Sequence, residues 1–157
     1  MPTKVKIKII DASDLRMHLD SIYEQTSQVA LCQWALCVAT HILKMVNSLY
    51  IEHPVIKEGF EINQSWQRRE VRMHDVRQVG FKIHQLAKTS QNIIEQTSLR
   101  VVGQAVATGH MREHAMVASD YAIKVINLLH PNDLDAVKDE RLWQIEKLES
   151  LRIDSKK

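Results

Sequence analysis

Four glycines and three prolines are all that punctuate these 157 residues. At average usage a chain of this length carries roughly 11 Gly and 8 Pro. It therefore lacks the turn residues that a barrel, a sandwich or a dinucleotide-binding α/β fold requires. Hydrophobic residues make up 45% and charged residues 25%, which is the composition of a globular protein and not of a disordered or disulfide-stapled one. The expectation is an all-α chain, large enough to bury roughly two-thirds of the surface it exposes when unfolded.

Periodicity sharpens that expectation. Val5, Ile7 and Ile9 alternate with Lys4, Lys6 and Lys8, a strand-like pattern with no second strand to pair with. Residues 1–12 are read as an N-terminal extended arm and 13–157 as one compact helical domain, a multi-helix bundle of about seven helices. Ser13 or Asp14 caps a short first helix carrying Leu15, Leu19 and Ile22, and Thr26 or Ser27 opens a longer, apolar one over 27–50. Pro54 suits the first position of the next helix. Helices are then expected from Glu70 to Ala87, from Ile93 to Thr108 and from Arg112 to Leu129. Gly109 is expected to end the middle one in a left-handed turn. Asn132 and Asp133 start the last helix, whose apolar stripe is Leu134, Val137, Leu142, Ile145, Leu148 and Leu151.

Charge and cysteine usage narrow the function classes. With 21 basic and 19 acidic residues the net charge is +2, which gives no drive toward nucleic acid or a membrane surface. No run reaches the 18 apolar residues of a membrane span, and no segment resembles a leader. Cys32 and Cys37 are five residues apart on different faces of one helix, as unpaired thiols in a reducing compartment would be. The expected location is the cytoplasm, with no cofactor.

The motifs of common enzymes are absent: the sequence has no Walker loop, no G-x-G-x-x-G, no G-x-S-x-G and no H-E-x-x-H. Eight histidines invite other readings. His110 and His114 have the spacing of neighbours on one helix face, with Gln104 beside them and Asp120 and Tyr121 following on the next helix. Together these residues make a candidate polar binding site. Gly103 loses about 1 kcal/mol of helix propensity relative to alanine, so a close helix contact is expected there. Trp34 belongs to the core, whereas Trp66 and Trp143 lie among polar residues and are candidate interface aromatics. A rival reading takes the His74-Asp75 pair as part of a metal-dependent helical hydrolase of the histidine–aspartate type, with His41, His110, His114 and Asp120 as further ligands.

The run Val102-Gly103-Gln104-Ala105-Val106-Ala107-Thr108-Gly109-His110, followed by His114-Ala115 and Ala118-Ser119-Asp120-Tyr121-Ala122, resembles the small all-helical putative immunity proteins of bacterial polymorphic toxin systems. Trp66, Val76-Arg77 and His84-Gln85-Leu86-Ala87-Lys88 are similar to a second, weaker pattern of that family. The resemblance implies a non-enzymatic cytoplasmic protein that binds and neutralises a cognate toxin. It also adds His84 to the candidate site. A third reading is a structural homo-oligomer, with the arm and the last helix contacting a second subunit.

Overall fold

The computed structural model describes residues 2–155, with side chains as far as residue 152. Residues 156 and 157 of the expected helical domain lie outside the described residues. Seven α-helices follow one another: α1 (Ser13–Glu24), α2 (Gln28–Met45), α3 (Pro54–Gln67), α4 (Met73–Thr89), α5 (Ile93–Ala107), α6 (His114–Leu129) and α7 (Leu134–Ser155). A 3-10 turn, Leu49–Glu52, precedes α3. The described residues contain no strand.

The least polar helix becomes the centre. Ser27 caps α2 by accepting the Ala30 N–H at 3.2 Å, and Leu31, Trp34, Ala35, Val38, Ala39 and Ile42 are fully buried along it. α2 packs against α3, α5, α6 and α7, and α5 packs in turn against α3, α4 and α6. The expected extension of α2 to residue 50 does not occur. Asn47 takes φ 53°, a left-handed conformation that its short amide side chain tolerates, and the chain re-enters as the 3-10 turn.

Gly109 corrects a second expectation. No described glycine has positive φ, and the turn after α5 continues through His110 and Met111, whose N–H groups both reach the Ala107 carbonyl. Space there is tight instead: a Cβ would stand 3.1 Å from Val76 Cγ1 and 3.4 Å from Trp66 Cδ2.

Side chains from other helices and loops add to the closure of the helix ends. Asn63 donates to Val106 O at 2.8 Å and Gln28 to Thr108 O at 2.9 Å, closing the end of α5. Arg112 donates to Tyr23 O and Thr26 O at 2.9 and 2.7 Å, closing the end of α1, with its guanidinium over the Tyr23 ring. The arm before α1 bends at Ile7. It is tied down where Asn127 exchanges two hydrogen bonds with the Ile10 backbone, at 2.8 and 3.0 Å.

The apolar stripe expected on α7 is partly wrong. Val137, Ile145 and Leu148 are buried, but Leu134 and Leu142 are 42% and 51% exposed. Glu140, Arg141 and Gln144 are buried in their place.

Candidate functional site

Four of the predicted polar residues come together where α4, α5 and α6 meet. Gly103 lets the His84 ring lie directly on the α5 backbone, since a Cβ there would be 2.6 Å from His84 Cε1. At the next residue, Gln104 Oε1 accepts from His114 Nδ1 at 2.7 Å. The His110 ring stacks beside that of His114, centroids 5.7 Å apart. His84 Nδ1 is buried with no hydrogen-bond partner among the described residues.

These surroundings favour neutral imidazoles. Burial lowers the His84 pKa, and Arg100, His114 and Lys88 lower it further. Burial also lowers that of His114, with His110 and Lys6 adding to the effect and Glu113 opposing it. The Gln104–His114 bond ties α5 to α6, and the partly exposed His84, Gln104, His110 and His114 form a polar notch. Tyr121 is half-buried and packs against the core.

Asp120 lies apart from that notch. It is 2% exposed and sits between two buried arginines, Arg16 at 6% and Arg141 at 0%. Arg16 donates to it through Nε at 3.1 Å and Nη2 at 3.0 Å, and Arg141 through Nη2 at 2.8 Å. The same Arg141 reaches Asp11 through Nε at 2.9 Å and Nη2 at 2.7 Å, and Ser119 and Gln144 through Nη1 at 3.2 and 3.0 Å. Arg16 also holds Thr3, which hydrogen bonds to Asp20. The network ties the arm, α1, α6 and α7 together. Burial works against the Arg141 charge, yet the bonds and charges of Asp11 and Asp120 outweigh it and raise its pKa.

Reading from sequence missed Arg16, Arg141 and Gln144. The available signal was spacing: Val137, Arg141, Gln144 and Leu148 fall at i, i+4, i+7 and i+11, one continuous helix face.

The remaining candidates are dispersed. Trp66 is half-buried against Gly109. His74 and Asp75 are exposed at the start of α4, where the Asp75 carboxylate accepts the Arg72 N–H at 3.0 Å and so caps the helix. His41 is on the far side, with Nε2 at 2.8 and 3.1 Å from the two oxygens of Glu140 and its ring stacked 3.8 Å from that of Trp143. The six ligands of the hydrolase reading thus occupy four separate places. Among the described residues no three His, Cys, Asp or Glu side chains are grouped to hold a metal ion.

Both thiols are free, and Cys32 is buried beside Asn63. Burial pushes its pKa up to about 12 against the opposing Asn63 hydrogen bond, the environment of an inert core thiol. Among the described residues no helix is long and apolar enough to cross a membrane.

The family model described as Imm-5 like putative immunity protein matches residues 21–151, and the chain belongs to that family. Neither the curated proteins nor the solved structures contain a match to it.

Proposed function

We propose that this protein binds a cognate bacterial toxin in the cytoplasm and neutralises it by protein–protein association, as part of a polymorphic toxin system. Membership of the immunity family over residues 21–151 carries this reading. The placement of the family-like residues supports a steric mechanism. Gly103, Gln104, His114 and Asp120 all engage neighbouring helices, so the bundle is a rigid body that occludes a partner's working surface. Such an inhibitor draws most of its affinity from a few aromatic or arginine anchors and its approach from complementary charge. Of the sequence-predicted site residues all but Asp120 retain partial exposure for such contacts, among them His110, Tyr121, Trp66 and Trp143.

Co-expression tests the reading. The toxin candidate encoded beside this gene is induced in cells with and without the protein. Rescue of growth together with a copurifying complex supports it. Toxicity that persists at full expression of the folded protein, with no complex recovered, refutes it.

A further inference from the structure

We propose that the groove between α2, α3 and α7 is a docking site for an acidic segment of a protein partner that carries an aromatic or aliphatic anchor, an inference that rests on the protein-association reading. The groove has a volume of about 520 Å³. Leu36, Phe60 and Trp143 supply apolar surface, and Lys44 and Lys147 stand on its walls.

Charge identifies the occupant. The ionisable side chains that line the groove are Lys44, Lys147, His41 and Cys37, with no carboxylate among them. Lys57, Lys82 and Arg68 elsewhere on the surface are each paired with a glutamate. Lys44 and Lys147 form no ion pair among the described residues. Of the acids around it, Glu140 is 4% exposed and engaged by His41, and Glu61 lines the adjoining pocket beyond Thr40 and Phe60 rather than the groove itself. A lysine-walled groove with no acid of its own selects carboxylates and repels basic segments.

Geometry identifies the anchor. Trp143 is not a loose surface ring: it stacks on His41 with 11° between the planes, and His41 is held in turn by the buried Glu140 carboxylate. The indole is therefore oriented before a partner arrives, which lowers the ordering cost of binding. Tryptophan with one face supported and its surroundings half-dry is the residue type most enriched among interface hot spots. A partner's Phe or Leu seated against Trp143 and Phe60 places flanking Asp or Glu side chains toward the two lysines.

The test is a two-dimensional NMR titration of the full chain with the peptide acetyl-DLDFDLDF-amide, compared with its counterpart in which every Asp is Lys. Saturable shifts confined to α2, α3 and α7 amides around the groove are expected for the acidic peptide. Binding at least tenfold weaker is expected for the basic one. The Lys44→Glu/Lys147→Glu double variant is expected to weaken the acidic peptide at least tenfold while keeping the spectrum of a folded protein. Equal binding of the two peptides, shifts centred elsewhere, no saturation, or indifference of the double variant overturns the proposal. Groove shifts that grow with protein concentration alone assign the site to a second copy and also overturn it. Growth protection is read separately: a double variant that protects cells as well as the wild type removes the groove from the mechanism and leaves the immunity reading standing. Failure of the wild type to protect removes that reading and leaves the peptide result intact.

Discussion

Asp120→Ala is the substitution to which the fold should be most sensitive. The carboxylate accepts three hydrogen bonds from two guanidinium groups, at 3.1, 3.0 and 2.8 Å, and all three residues are at most 6% exposed. Hydrogen bonds to charged groups contribute about 1.5–3 kcal/mol each, but both arginines keep other partners. Arg141 retains Asp11 at 2.7 Å, and Arg16 retains Thr3 and, at 3.6 Å, Asp20. The loss therefore belongs at the lower end of the range for breaking a buried ion pair, about 3 kcal/mol. For a chain of this length that lowers Tm by about 6–12 °C. Urea unfolding followed by far-ultraviolet circular dichroism measures it directly. Combining the change with Arg141→Met should show a coupling of at least about 1 kcal/mol, because the two side chains serve each other. A loss below about 1 kcal/mol, or simple additivity in the double variant, would mean that water reaches the network and that it does not cement α1, α6 and α7.

Three further outcomes follow from the same geometry. Gly103→Ala should destabilise by about 1–3 kcal/mol despite the gain in helix propensity, because the new methyl meets the His84 ring at 2.6 Å; His84→Ala in the same chain should recover most of the loss, and a neutral Gly103→Ala refutes the contact. The pKa values of His84 and His114 are lowered in the fold, so the unfolded chain binds more protons once the pH falls below about 6.5, the ordinary histidine value. Stability should thus be level above that value and decline from pH 6.5 to 5.5, with the slope flattened in His84→Gln/His114→Gln; a decline unchanged in that variant counts against the pair as its source. Half-buried Cys37 should react with iodoacetamide at pH 8 while Cys32, whose pKa is raised to about 12, reacts only on unfolding; equal labelling rates contradict that assignment.

What was legible in the sequence was whatever depends on neighbours along the chain. Ser27 as a cap, Pro54 as a first helical residue and the apolar circumference of α2 are local properties, and they place helices correctly. The approach at Gly103 and the pairing of Gln104 with His114 were also within reach, because ten residues and one turn separate that pair. Burial on α7 was not. Ranking positions by hydrophobicity selects Leu134 and Leu142, which face solvent, over Arg141 and Gln144, which do not. Only the opposing charges of Asp11 and Asp120 make an arginine the stable occupant of that face, and they are 130 and 21 residues away. The His41–Glu140 pair spans 99 residues, and no periodicity reports on it. Gly109 is another such case: its close surroundings are Val76 and Trp66, distant in sequence, and its own backbone angles are not left-handed.

Several of the residues that carry the family resemblance join one helix to another. Gly103 makes room for His84, Gln104 fixes His114, and Ser119 and Asp120 receive Arg141. These contacts specify how helices meet, while His110 and Tyr121 in the same run keep partial exposure. Lys44 and Lys147 make no ion pair among the described residues, and they stand on α2 and α7, outside the α4–α6 interior. The α4–α6 interior is therefore insensitive to what stands at those two positions. Replacing them changes the charge of the groove while every contact of Asp120 and His114 is kept. A scaffold divided in this way lets one fold serve different partners, because specificity is a difference of affinities set where the contacts are made. On the docking proposed for this groove, exchanging its side chains is the route to redirecting the protein toward another partner.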